Sequence, residues 1–109
     1  MFELVILLLL LIFIFRPKPM VVYLYWDKCP HCVNFMEEWG KFEKLSKITT
    51  TKLETKDANA KKYLEIAKKA NVYNGYPCIY YINSYGKIYD YIGERKASNL
   101  IKWVNQFYI

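Results

Sequence analysis

Met20-Val21-Val22-Tyr23-Leu24-Tyr25-Trp26-Asp27-Lys28-Cys29-Pro30-His31-Cys32 is the stretch on which the fold turns. Its first half, Met20 to Trp26, is short and rich in β-branched and aromatic residues, the composition of a buried strand. From Pro30 the periodicity changes. Val33, Met36, Trp39/Gly40 and Phe42/Leu45 recur at helical spacing, with Glu37, Glu38, Lys41 and Lys44 on the other faces, so a helix is expected from about Pro30 to Lys47. Pro30 suits the first turn of that helix, where a missing amide hydrogen costs nothing. Gly40 weakens its middle and allows a bend. A Cys-x-x-Cys therefore falls on a strand-to-helix junction.

Outward from this junction, Ile48 to Thr55 is Thr-rich and alternating, a second strand. Asp57-Ala58-Asn59-Ala60 opens an amphipathic helix, roughly Ala58 to Ala70. Asn74-Gly75-Tyr76-Pro77 is a turn. Cys78 to Ile82 and Lys87 to Ile92, joined by Asn83-Ser84-Tyr85-Gly86, read as a hairpin. In Ala97 to Tyr108, Leu100, Ile101, Val104 and Phe107 share one helical stripe. This order predicts an α/β domain: a four-stranded mixed sheet with three helices on its two faces, its first half closed by a parallel crossover.

Upstream, Leu4 to Phe15 is an unbroken apolar run of twelve residues, ended by Arg16-Pro17-Lys18-Pro19. The chain thus divides into an apolar segment with its linker, residues 1–19, and a domain, residues 20–109. The 54% hydrophobic content of the 109 residues excludes a disordered chain, and a 90-residue remainder can bury one modest core. A helix of the run's length falls short of the about 20 residues that usually span a bilayer. The flanks favour an uncleaved single-pass membrane anchor through residues 4–15: no Lys or Arg precedes the run, no small-residue cleavage site follows it, and Arg16 and Lys18 behind it hold the domain on the cytosolic side. A cleaved signal and a buried or partner-binding helix are the other readings of the same residues.

Three cysteines are too few for a disulfide framework and enough for a redox site. A structural zinc needs four ligands, and beyond Cys29 and Cys32 only His31, inside the loop, and Cys78 remain, so no metal is expected. At a helix amino terminus, unsatisfied amides and the helix dipole favour the Cys29 thiolate. Cys32, one turn inside, is less exposed and close enough to form a small disulfide ring. His31, when protonated, adds positive charge beside Cys29 and makes the disulfide more oxidising; a solvated His31 with no role fits the sequence too. The net charge of +6 comes from lysines spread over helical faces beside glutamates, with no long basic run, so no nucleic-acid partner is expected, and attraction to anionic lipid explains the charge better.

From Met20 to Ile109 the chain resembles the thioredoxin superfamily. The resemblance rests on Tyr25-x-x-x-Cys29-x-x-Cys32, on Val72 followed by Gly75-Tyr76-Pro77, and on Tyr91-Ile92-Gly93-Glu94-Arg95 before the final helix. The last two are closer to thioredoxin and protein disulfide isomerase domains than to glutaredoxin, and Cys-Pro-His-Cys is similar to the site of bacterial periplasmic dithiol oxidases. It implies a thioredoxin-like fold preceded here by a hydrophobic helix, catalytic Cys29 and Cys32 assisted by His31, a cis Pro77 facing them, and a Tyr76 backbone that pairs with the substrate chain, with no cofactor. Three positions depart from the family pattern. Tyr23 stands six positions before Cys29, where a buried acid usually serves the second cysteine. Lys28 replaces the Trp that commonly precedes the first. Cys78 follows the proline in place of Thr, as a compact core residue or as a third exchanging thiol.

The activity implied is thiol–disulfide exchange with protein thiols and disulfides, with a glutathione-linked variant in the same class. A structural or docking protein that keeps the fold is the alternative, since fold never guarantees chemistry. A cytosolic domain with an oxidising site is a tension: thiols there are normally kept reduced. A thiol-oxidising pathway of a large cytoplasmic DNA virus, with the protein in a virion membrane, resolves it; so does a lumenal domain.

Overall fold

The computed structural model describes residues 2–14 and 18–107. Phe15, Arg16, Pro17 and Tyr108, part of the expectations above, lie outside them. Helix α1 (Phe2–Ile14) is followed by β1 (Met20–Tyr25), α2 (Pro30–Leu45), β2 (Thr49–Glu54), α3 (Ala60–Lys69), β3 (Cys78–Ile82), β4 (Ile88–Asp90) and α4 (Ala97–Asn105). The strands form one mixed sheet in the order β2-β1-β3-β4. β1 and β2 run parallel with Met20 opposite Thr49, as two strands joined by a crossover helix must, while β3 is antiparallel to β1 and to β4.

The apolar run of β1 is continuous because both of its faces are covered. Val21 and Tyr23 pack with Phe35, Trp39 and Phe42 of α2 and with Leu100 and Val104 of α4. Val22 and Leu24 face the other way, toward Ala60 and Ala67 of α3 and Cys78 and Tyr80 of β3. Central β1 thereby fixes α2 against the sheet and holds its amino terminus at the end of the strand. Glu38 of α2 pairs with Lys41 at 3.1 Å, and Ala97 at the start of α4 packs in the same buried cluster as Phe35, Trp39 and Phe42 of α2.

Several boundaries differ from the sequence expectation. α2 runs unbroken through Gly40 and stops at Leu45, because Ser46 turns extended and its hydroxyl bonds Ile48. α3 begins at Ala60, two residues late, since the Asp57 carboxylate captures the Asn59 amide and shapes a turn there. β4 spans three residues, and Tyr91 to Arg95 form a loop. α4 ends at Asn105.

The amino-terminal segment brings a correction of greater weight. Helix α1 has 13 residues and rises about 20 Å against the about 30 Å of a hydrocarbon core. No helix among the described residues is long and apolar enough to cross a membrane. Its side chains from Phe2 and from Leu4 to Leu10 are 52–86% exposed, so it is no core helix of this domain.

Candidate active site

Chain direction builds the site. After β1 the backbone turns over Asp27 and Lys28, closed by the Cys29 amide on the Trp26 carbonyl at 3.0 Å, and Cys29 becomes the amino-terminal cap of α2. Its carbonyl accepts from the amides of Cys32 and Val33, both at 3.1 Å, and its sulfur accepts from the Cys32 amide at 3.3 Å. The thiol thus takes the place that a Ser or Asp oxygen normally holds at a cap.

Cys29 is 7% exposed, and Cys32 is fully covered. Both are free thiols. The Cys29 thiol is held below its ordinary range by a hydrogen bond from the Cys32 side chain, against the opposing effect of burial, with help from the amides of Cys32 and His31 and from the Arg95 guanidinium. Cys32 is pushed up to about 11, chiefly by burial and then by giving its hydrogen bond to Cys29. The two sulfurs are therefore split into a more acidic thiol with a narrow opening to solvent and a protonated, fully covered neighbour behind it.

The Tyr76–Pro77 peptide is cis, and Gly75 before it has φ +98°, a left-handed conformation suited to glycine. The Tyr76 carbonyl faces the site and accepts a long hydrogen bond, 3.7 Å, from the Cys29 thiol. Cysteine pair and proline loop, 47 positions apart for Cys29 and Tyr76, are thus in contact.

Tyr23 sits beneath the pair. Its ring packs on Phe35 at 5.1 Å and Trp39 at 4.9 Å, it is fully buried, and its hydroxyl donates to the Cys32 carbonyl at 3.1 Å. The hydroxyl's proximity to the Cys32 side chain makes that thiol more acidic, while burial pushes its own pKa far above the ordinary phenol. Tyr23 is consequently a fixed donor to Cys32 and not a base.

His31 and Lys28 are exposed at the surface, and what His31 directs at the Cys29 sulfur is its backbone amide. Cys78 packs with the α3 face of the sheet, away from Tyr23; its thiol points to the Val72 carbonyl at 3.9 Å and is pushed up to about 12 by burial and then by the Asp90 carboxylate. That is the compact core residue, with no thiolate available near neutral pH. Arg95 was legible only as part of a motif, not as a site residue. The Tyr91 hydroxyl bonds the Glu94 carbonyl, and a Cβ on Gly93 would lie 3.0 Å from that hydroxyl, so Tyr91 and Gly93 together fix the loop that carries Arg95 to Cys29. The tight Gly-x-Arg spacing was the available signal.

A mixed sheet with a dithiol at the amino terminus of its first crossover helix and a cis-proline loop opposite defines a thioredoxin-like domain. The chain belongs to the thioredoxin family, whose model matches residues 13–106. No curated protein matches it significantly. Among solved structures it is similar to the J-Trx1 fragment of ERdj5, with TM-score 0.66 and 20% identity over 83% of this chain and 43% of that one. It is also similar to the first thioredoxin domain of mouse protein disulfide-isomerase A4, with TM-score 0.61 and 26% identity over 86% of this chain and 66% of that one. Thioredoxin from Aeropyrum pernix superposes with TM-score 0.69 at 20% identity, over 84% and 76% of the two chains. The chain spans less than two thirds of the first two.

Proposed function

We propose that this protein is a thiol–disulfide oxidoreductase that exchanges disulfides with protein substrates. The observation that carries the reading is the split pair: a stabilised Cys29, 7% exposed, and a protonated, fully covered Cys32 whose amide and side chain both bond the Cys29 sulfur. In the reducing direction the Cys29 thiolate attacks one sulfur of a substrate disulfide. The substrate S–S bond breaks, its other sulfur leaves as a thiolate and takes a proton, and a mixed disulfide with Cys29 remains. Cys32 then loses its proton to solvent and attacks the Cys29 sulfur. The substrate's second thiol is released, and two electrons have passed from the pair to the substrate. Run backwards, the same steps oxidise a dithiol.

Ionisation of Cys29 has a second effect. It removes the hydrogen that the Tyr76 carbonyl accepts, freeing that carbonyl for a substrate amide. A stabilised Cys29 thiolate favours the reduced form and makes the disulfide the better oxidant, and the compartment's redox poise sets which direction runs.

Cys32→Ser tests the reading: it should accumulate covalent partners through Cys29 in the native host, sensitive to dithiothreitol and abolished by adding Cys29→Ser. A folded Cys32→Ser protein that traps nothing would remove it. One observation favours the docking reading, namely that Tyr23 supplies no buried base. An insulin-reduction rate equal in wild type and Cys29→Ser would decide for docking.

The exposed apolar surface of α1 supports attachment to lipid, entering the hydrocarbon layer without crossing it. The basic flank behind it supports a domain on the cytosolic side. The full chain should float with anionic liposomes and the 20–109 fragment should not; thiol labelling on intact membranes reports the side.

A further inference from the structure

Beyond the proline loop from Cys29 lies a cavity of about 320 Å³, lined on one side by Tyr76, Pro77 and Cys78 and on the other by Asp90, Tyr91 and Arg95. Its two charged walls differ. Arg95 stands at the end nearer the thiols, where it also lines the small recess beside His31. Asp90 is half-buried at the edge of the sheet, in register with Tyr80 on the face that also carries Cys78. The neighbouring Tyr91 amide is spent on the Ile79 carbonyl at 3.1 Å, and among the described residues no Lys or Arg forms an ion pair with the Asp90 carboxylate. The titratable group that acts on it from the packed strands is the Cys78 thiol, which is neutral. An anion withdrawn from water without a cation is costly, and a ligand cation removes that cost.

We propose that this cavity is a subsite for a basic side chain of the substrate, close in sequence to its reactive cysteine, with Asp90 as the counter-ion. The inference rests on the oxidoreductase reading for its substrate. A chain whose cysteine meets Cys29 and whose backbone runs along Tyr76 passes directly over the cavity, because Tyr76 and Pro77 belong to both. Arg95, beside the thiols, repels a cation there and leaves the Asp90 end as the place for it. Lys or Arg also suits the walls, its aliphatic stem lying on the Tyr76 and Tyr91 rings. The preference runs against the protein's net charge of +6, which by itself steers acidic peptides toward the surface. Local recognition and general steering therefore predict opposite signs.

The test uses short peptides whose single cysteine is joined to thionitrobenzoate in a mixed disulfide, with Lys, norleucine or Glu placed at each of the three positions on either side. Release of the chromophore by the full-length reduced protein gives kcat/KM. At one or two positions Lys should exceed norleucine by about three- to fivefold, the effect of one part-exposed ion pair. Asp90→Asn should bring that ratio to one, Asp90→Glu should retain most of it, and rising salt should shrink it. Absence of a Lys preference at every position, or its persistence in Asp90→Asn, overturns the subsite. A second arm does not need catalysis. Peptides with Ser in place of cysteine are titrated into the Cys29→Ser protein while the Tyr91 and Gly93 amide signals are followed. Lys-dependent shifts lost in Asp90→Asn support the subsite even if the exchange chemistry fails, and Lys-independent shifts or none refute it even if the chemistry holds.

Discussion

Replacing Tyr23 with Phe removes one hydroxyl from the floor of the site and isolates what that hydroxyl does. In the resting protein it donates to the Cys32 carbonyl at 3.1 Å, and when Cys32 ionises the same hydrogen can turn to the sulfur and make that thiol more acidic. A hydrogen bond to an ionised group contributes about 1.5–3 kcal/mol, and a tenfold change in acidity corresponds to about 1.4 kcal/mol, so losing it makes Cys32 at least about tenfold less acidic. Starting from about 11, the thiolate at pH 8 falls from about one molecule in a thousand to about one in ten thousand. A more basic thiolate is also a better nucleophile, with a Brønsted slope of about 0.4–0.5, which recovers about threefold of the loss. The net expectation is that resolution slows by about three- to fourfold for each tenfold loss of acidity. Formation of the mixed disulfide by Cys29 should hardly change. In the mixed disulfide Cys29 no longer takes the Cys32 hydrogen bond, but burial, the larger cause, persists. The assay is single-turnover quenched flow, with the mixed disulfide trapped by acid and quantified by mass. Tyr23→Phe should lengthen its lifetime. A folded Tyr23→Phe protein with an unchanged lifetime, or with both steps slowed equally, would refute the assignment of Tyr23 as the donor to Cys32.

Arg95→Gln should make the Cys29 thiol slightly less acidic, by less than tenfold, since the guanidinium is exposed and screened; the pH profile of iodoacetamide alkylation reads this. Gly93→Ala should do the same without touching a charge, because its Cβ displaces the Tyr91 ring; an unchanged profile would separate loop geometry from Arg95 placement. The reduced protein should lose stability as pH rises above about 9. Cys32 and Cys78 have folded values of about 11 and about 12 against an ordinary 9.0, so both contribute fully below 9 and lose that contribution as pH climbs through the folded values. Denaturant midpoints from pH 8 to 11 should show that slope, and Cys78→Ala should flatten it; identical slopes would contradict the burial cause. The lowered Cys29 acts oppositely, adding stability above its ordinary value that fades as pH falls through its folded one.

What the sequence revealed and what it hid divide along physical lines. β1 and α2 were legible because a period change at Pro30 is a local signal, and the Tyr76–Pro77 geometry because the motif resemblance carried it. Helix ends were not, since Ser46 and Asp57 stopped and delayed helices through their own side-chain bonds, in which a single residue outweighs periodicity. Tyr23 was visible as a departure at its position, but its donation to Cys32 needs β1 and α2 in register. Arg95 approaches Cys29 only after four strands have assembled. His31 is a separate case: the sequence drew attention to its ring, which lies exposed at the surface, while its amide is among the groups that make the Cys29 thiol more acidic.

The packing of α2 on Ala97 carries a lesson for anyone who would transplant this chemistry. Helix α2 presents the thiols at its tip and, further along the same rod, packs its buried face on the first residue of α4, which follows directly on the loop that delivers Arg95. Nucleophile and cation thus share one jig. Moving Pro30-His31 into another scaffold would import a spacer without its alignment, which also draws on Tyr23 of β1 and on the Tyr76–Pro77 loop.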